Sequence, residues 1–360
     1  MPEAVPETAP EIASGTGSSG RPSLLSQMLA DLPKPDETAR RAVADRASQV
    51  LRPAGAFERL DQVAVWLAGW QRTPEPTVER PVALVFAADH GVADEGVSAY
   101  PAEVTAAMVS AVDSGVATVT AVARQVGAVV RCDDVGVGVP TGNIRTHDAM
   151  GADEFDAAVS AGALAVERAV EADRADLLGL GELGIGNTTA AAAVCGLLFA
   201  DDATSSAEAA ARWTGPGTGV QAEALDHKRV VVCDVLERVG RVAPMEALRR
   251  AGGRELAAIA GAVAAARQRS IPVILDGFIG TAAVAPLALA TPGSLDHCIA
   301  GHCSAEPGHG ELLGRLGLEP LVRLDLRLGE GTGALIAVPL VRIAAAAVTD
   351  VATFAEWGLA

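Results

Sequence analysis

The sequence predicts an α/β protein: a three-layer domain on a mostly parallel sheet, with a small helical domain from the N- and C-terminal segments. Three features point there. A strand, a loop and a helix succeed one another at least five times between residues 81 and 348, the alternation that covers a sheet on both faces. Residues 81 to 88 are apolar throughout, as central parallel strands are when both faces are buried. Residues 23 to 71 show no strand pattern, only apolar positions at helical spacing such as Leu60, Val63, Ala64, Leu67 and Ala68.

In chain order, residues 1 to 22 are rich in Pro, Ser, Gly and Thr with little to bury, the composition of a disordered tail. Arg52-Pro53-Ala54-Gly55 splits the helical stretch in two. The expected division is a tail over 1–22, a small helical domain over 23–75 with 340–360, and an α/β catalytic domain over 76–339. The first strand, 81 to 88, ends at Asp89-His90-Gly91, where α/β sheets place ligands. A polar loop to Tyr100, helices over 102–125 and a strand over 128–135 follow. After a helix over 153–173, the apolar run 175–180 enters the glycine loop 179–189, and an alanine-rich helix begins at Ala190. Thr214-Gly-Pro-Gly-Thr-Gly219 is a further loop, before a helix over 223–239 that carries Lys228. Strands over 271–275 and 297–300 end at Asp276-Gly277 and at residues 301–306. Residues 325–334 form the last glycine turn, a helix over 335–348 closes the pattern, and 349–358 should join the N-terminal helices.

Half the residues are hydrophobic but only 3% aromatic, so the core must be built from Ala, Val, Leu and Ile. A formal charge of −17 argues against nucleic acid or an anionic membrane as partner, since either needs a basic face. Of 28 basic residues only Lys34 and Lys228 are lysines. The five cysteines, at 132, 195, 233, 298 and 303, show no C-x-x-C spacing, which fits a reduced, cytoplasmic protein. Neither a signal peptide nor an uninterrupted apolar run of about 20 residues is visible.

The loop Gly179-Leu-Gly-Glu-Leu-Gly-Ile-Gly-Asn-Thr-Thr189 organises the chain. Strand, glycine turn and helix present backbone N–H groups to an anion. Gly184 and Gly186 let a ligand approach the backbone, and Asn187, Thr188 and Thr189 are N-cap types. Glu182 would repel a phosphate, so the pattern suggests a sugar phosphate with its hydroxyls near Glu182. A bare βα turn without ligand is an alternative. So is a dinucleotide site, since Gly179, Gly181 and Gly184 fit G-x-G-x-x-G and Asp201 and Asp202 follow, although only residues 197–200 could form its second strand. Glu330, between Gly329 and Gly331, is either a general base on an exposed turn or a plain turn residue. Asp89 and His90 either meet substrate or hold a loop, and Lys228 is either a site residue or a surface lysine. Metal-dependent hydrolysis through Asp89, His90, His302, Cys303 and His309 is a rival without H-x-E-x-H spacing. A non-catalytic nucleotide sensor is another.

Taken together the loops resemble one family. Ala88-Asp-His-Gly-Val92 with Glu95-Gly-Val-Ser98, then Gly181-Glu-Leu-Gly-Ile-Gly-Asn-Thr-Thr189 and Thr214-Gly-Pro-Gly-Thr-Gly219, occur there in this order, with Ser304-Ala-Glu-Pro-Gly-His309 and Leu328-Gly-Glu-Gly-Thr-Gly-Ala334 after them. It is nicotinate-nucleotide–dimethylbenzimidazole phosphoribosyltransferase, of cobalamin lower-ligand synthesis, and the similarity runs from about Leu51 to the C-terminus. The resemblance implies a Rossmann-like sheet, a small helical domain and a homodimer. It implies transfer of 5-phosphoribose from nicotinate mononucleotide to 5,6-dimethylbenzimidazole, giving α-ribazole 5′-phosphate and nicotinate, with no cofactor or metal. By motif, Glu330 matches the catalytic base, and Ser98, Leu183 and Leu328 match the base pocket. Gly184, Ile185, Gly186, Asn187, Thr188, Gly217, Lys228 and Ser304 match the phosphoribosyl and nicotinate side, to which the loop reading adds Glu182.

Two departures stand out. Arg52-Pro-Ala-Gly-Ala-Phe-Glu58 replaces the Lys-Pro-x-Gly-Ser-Leu-Gly of many relatives, and Ala107 stands near where many carry a Gln facing the incoming base. The missing amide bears on the choice among benzimidazoles and related bases, not on phosphate binding.

Overall fold

The computed structural model describes residues 23–359; the tail expected over 1–22 lies outside them. The chain begins with α1 (Leu24–Met28), α2 (Glu37–Ala47) and α3 (Glu58–Gln71). It continues through β1 (Pro81–Ala88), a 3₁₀ turn (Gly91–Glu95), α4 (Val104–Asp113), α5 (Thr118–Val126), β2 (Val129–Gly136) and α6 (Ala152–Ala172). Next come β3 (Leu177–Leu183), α7 (Asn187–Phe199), α8 (Ser206–Trp213), α9 (Ala222–Val239), α10 (Pro244–Ala251) and α11 (Arg254–Gln268). The last elements are β4 (Val273–Leu275), α12 (Phe278–Ala290), β5 (Cys298–Cys303), α13 (His309–Arg315), β6 (Pro320–Arg323) and α14 (Thr332–Thr349).

The strands form one six-stranded parallel sheet in the order β2-β1-β3-β4-β5-β6. Period-2 alternation divides its side chains between two cores. Val82, Leu84, Phe86, Leu178, Leu180, Val273 and Leu275 face a layer that includes α6, α7, α11 and α12. Ala83, Val85, Ala87, Leu183 and Ile274 face the opposite layer of α3, α5 and α14. Each fully buried Val, Leu or Ile contributes about 1.5–3 kcal/mol, so both faces hold the sheet in place. Local signals start several helices. Asp36 caps α2 by accepting from the Thr38 and Ala39 N–H groups at 2.9 and 3.0 Å, and Ser205 and Glu208 form a capping box on α8.

The structure adjusts several expectations. Residues 23–75 divide between two places. α2 and α3 pack on each other and on α14, whereas α1 lies against α6 and α11 on the other face, where Leu25 and Leu29 enter the core. α14 itself covers β3, β4, β5 and β6, so it is a layer of the sandwich as well as a partner of the N-terminal helices. Residues after it do join those helices: Thr353 bridges Val50, and the Arg46 guanidinium donates to the Val351 carbonyl at 3.0 Å. The strand expected over 297–300 begins and ends later, at Cys298–Cys303. Residues 197–199 belong to α7 and Asp201 and Asp202 are exposed beyond it, so the dinucleotide reading lacks its second strand.

Two stretches, Val104–Val126 and Thr332–Thr349, are long and apolar enough to cross a membrane on those measures alone. The first is broken into α4 and α5 at Gly115, where φ is 74°. The second is α14, whose apolar side supplies Leu335, Val338, Val341 and Val348 to the core.

Candidate active site

The chain winds outward in opposite directions from β1 and β3, since β2 lies beyond one and β4 to β6 beyond the other. Loops leaving the carboxyl ends of the strands at such a switch point part and leave a crevice. Here the crevice is a cavity of about 370 Å³. Glu182 and Leu183 line it from the end of β3, and residues 184–188 from the turn into α7. Gly217, Ser304 and Glu306 form one wall, and Ser98, Leu328 and Glu330 another. Every site residue expected from the sequence thus meets this one space except Lys228, which lies just behind Thr188.

At the head of α7 the turn uses Gly186, at φ 97°, as the N-cap. The sequence offered Asn187, Thr188 and Thr189 as capping types, but none caps. The Asn187 side chain instead turns back and donates to Glu182 Oε2. Burial, with Asp276 and Glu255 nearby, pushes the Glu182 carboxyl well above the ordinary range, which favours its protonated form and weakens the repulsion expected toward a phosphate. Ile185 donates its N–H to Thr105 Oγ1 at 3.2 Å, while among the described residues the N–H groups of Gly186 and Thr188 have no partner. Behind them Lys228 Nζ, fully buried, donates to Thr188 Oγ1 at 2.8 Å and to the Gly215 carbonyl at 3.0 Å. Burial lowers the Lys228 pKa to about 8, opposed by the nearby Glu306 carboxylate. Glu306 Oε1 accepts from the Gly217 N–H at 2.8 Å. Helix N-terminus, free N–H groups and buried ammonium together make an anion site.

The second turn carries Glu330. Gly329, Glu330 and Gly331 have φ of 83°, 63° and 81°, and only the two glycines adopt this region without cost. For Glu330 the left-handed conformation costs about 1–2 kcal/mol. Asp276, at the end of β4, holds the turn: its carboxylate accepts from the Gly331 N–H at 3.1 Å and the Ala334 N–H at 2.9 Å. Gly181 in β3 lies directly beneath, and a Cβ there would stand 2.2 Å from the Gly331 nitrogen. Glu330 N–H donates to the Glu182 carbonyl at 3.2 Å, and its Oε2 accepts from the Val119 N–H at 3.4 Å. The Glu330 side chain is therefore not on an exposed turn, as the flanking glycines suggested. It is 2% exposed, and burial raises its pKa, as suits a carboxylate that must take a proton near neutrality.

Asp89 and His90 fall on the loop-holding side of their alternatives. Asp89 Oδ2 accepts from the Gly138 N–H at 2.8 Å. His90 Nε2 lies 2.6 Å from Glu255 Oε1, both side chains fully buried; its ring backs Gly184 and its Cβ backs Gly186. The five residues of the metal reading are not gathered: among the described residues no group of three or more His, Cys, Asp or Glu side chains is placed to hold an ion. Asp276 and Glu306 are among the residues of the site that escaped assignment from sequence, and His302, weighed there only as a metal ligand, lines the cavity. Asp276 obeys the same strand-end rule that singled out Asp89. Burial raises its pKa to about 7.

A family model described as Phosphoribosyltransferase matches residues 32–359. The nicotinate-nucleotide–dimethylbenzimidazole phosphoribosyltransferase of Cereibacter sphaeroides is 48% identical over 331 residues, 91% of this chain and 94% of its own. The enzyme of the same name from Novosphingobium aromaticivorans is 47% identical over 92% of this chain and 95% of its own. The crystal structure of CobT from Thermus thermophilus superposes with a TM-score of 0.84 at 40% identity, covering 90% of this chain and 99% of that one. Fold, turns and sequence agree: this chain belongs to the nicotinate-nucleotide–dimethylbenzimidazole phosphoribosyltransferase family.

Proposed function

We propose that this enzyme transfers 5-phosphoribose from nicotinate mononucleotide to 5,6-dimethylbenzimidazole, giving α-ribazole 5′-phosphate and nicotinate for the lower ligand of cobalamin. The observation that carries the reading is a single cavity bounded by an anion-binding helix N-terminus on one side and a buried carboxylate, Glu330, on the other. The phosphate lies against residues 184–188, with Gly217 and Lys228 behind it and Ser304 on the phosphoribosyl and nicotinate side. The incoming base packs between Leu183 and Leu328, beside Ser98. Glu182, tied to Asn187, faces the sugar.

One nitrogen of the base attacks ribose C1′ from the face opposite nicotinate. The C1′–N bond breaks, its electron pair neutralises the departing pyridinium, and Glu330 takes the proton from the base's other ring nitrogen. Attack from that face inverts the anomeric centre, which yields the α-linked product. A carboxylate near C1′ favours the positive charge that develops there, and holding two substrates together contributes as much as ~7–11 kcal/mol. No cofactor or metal takes part. We also read the chain as a cytoplasmic homodimer, on the family resemblance and the absence of C-x-x-C spacing. The test is to mix purified protein with nicotinate mononucleotide and dimethylbenzimidazole after dialysis against EDTA and follow nicotinate. Release of nicotinate with formation of the α-nucleotide is expected. A protein that binds the nucleotide and releases nothing is a sensor.

A further inference from the structure

A histidine outside the cavity ties two of its walls together. His309, the first residue of α13, is fully buried. Its Nδ1 lies 2.8 Å from the Ser304 backbone nitrogen and 2.9 Å from Ser304 Oγ. A backbone N–H can only donate, so Nδ1 is an acceptor and the ring proton sits on Nε2. Nε2 lies 3.1 Å from Thr281 Oγ1, and that hydroxyl donates to the Gly277 carbonyl at 2.8 Å. Every donor along the path Ser304, His309, Thr281, Gly277 therefore has one direction. Ser304 and Gly277 both line the cavity, on the loops after β5 and β4. Phe278 and His302 pack their rings edge-on against His309, at centroid distances of 6.3 and 6.1 Å, so the imidazole has no room to turn. Nδ1 thus accepts from both the Ser304 N–H and the Ser304 hydroxyl, which fixes the hydroxyl and leaves its oxygen lone pairs to accept from a ligand hydroxyl.

We propose that His309 is a positioning residue for the transfer: it fixes Ser304 against the nucleotide and holds the loops after β4 and β5 at one spacing. The proposal rests on the assignment of Ser304 to the phosphoribosyl and nicotinate side. Burial lowers the His309 pKa to about 3, with His302 and Arg323 adding to it, so the ring stays neutral and keeps one tautomer.

Two variants separate the links. His309→Asn places an amide oxygen near Nδ1 and keeps the acceptor for Ser304, while His309→Gln reaches Nε2 and Thr281 but leaves Ser304 without its acceptor. The KM for nicotinate mononucleotide should rise about tenfold in the Gln variant, the size of one lost neutral hydrogen bond, and less than about threefold in the Asn variant. In a Ser304→Ala background the Gln change should add nothing to KM. Equal KM effects of Asn and Gln, or effects that multiply in the Ser304→Ala background, overturn the proposal and leave the reaction assignment standing. If Ser304→Ala alone leaves KM unchanged, the placement of Ser304 at the nucleotide falls, and this proposal with it. Should the His309 variants not fold, Thr281→Val replaces them: a KM rise of about threefold that vanishes in the Ser304→Ala background supports the relay, and a rise that persists sinks it.

Discussion

The heads of α7 and α14 start from the same local design and end with opposite chemistry. Each helix begins at a left-handed glycine, Gly186 or Gly331, and neither glycine offers a capping side chain. At α7 the first N–H groups face the cavity, with Lys228 behind them. At α14 the protein's own Asp276 has taken the N–H groups of Gly331 and Ala334. A helix N-terminus attracts whatever anion reaches it. With an internal carboxylate at the head of α14, that turn is a mount for Glu330, and on the proposed function the phosphate is left the head of α7.

The comparison breaks most visibly at Glu330. Glu330→Gln keeps the turn and the α7 anion site but removes the base, so kcat should fall about 10²–10⁴-fold, with nucleotide affinity unchanged in a direct binding titration. If the variant loses nucleotide affinity and keeps kcat, the roles of the two turns have been exchanged. A smaller effect is expected at Asp276→Asn. The amide still fills the space but has one acceptor oxygen where the carboxylate uses two, so one N–H group loses its partner, and hydrogen bonds to charged groups are worth ~1.5–3 kcal/mol. Its kcat should drop roughly ten- to a hundredfold while KM for the nucleotide stays level. A rise in KM with unchanged kcat would show that α14, not α7, meets the phosphate. The mildest test uses pH. The Lys228 pKa is depressed to about 8, so the ammonium is present below that pH and lost as pH rises through it. KM for nicotinate mononucleotide should therefore climb severalfold between about pH 7 and pH 9.5, the range over which a group of pKa about 8 loses its proton. Lys228→Gln should begin with the higher KM and show no climb. A flat wild-type profile would remove Lys228 from phosphate binding.

Much of the site was legible because its parts are local. A glycine needed for a left-handed turn, a carboxylate between two glycines and an apolar run before a loop all declare themselves within a few residues. The loops at 181–189 and 328–334 were readable for this reason. Asp276 was visible at a strand end, but its partners lie 55 and 58 residues further on, and no local pattern announces a bond of that span. Helices α8, α10, α11 and α13 and strand β6 were missed: the four helices are alanine-rich or short, and Pro320–Arg323 is a four-residue edge strand whose pairing with β5 makes it a strand at all. Glu330 was expected to be exposed because glycine-flanked turns usually are. Its carboxylate instead meets the Val119 N–H at the head of α5, a helix that packs against α14.

The sequence by itself determined the alternation of strand and helix, the position of each glycine turn and the family those turns share, since these depend on backbone sterics and side-chain spacing along the chain. Only the tertiary structure decided which strands are neighbours, that α1 crosses to the far face, and that Asp276 occupies one helix head and leaves the other open. Those outcomes depend on burial and on hydrogen bonds between residues far apart in sequence. The raised Glu182 carboxyl and the weakened Lys228 ammonium belong to the same class, because a buried group's charge is set by what surrounds it.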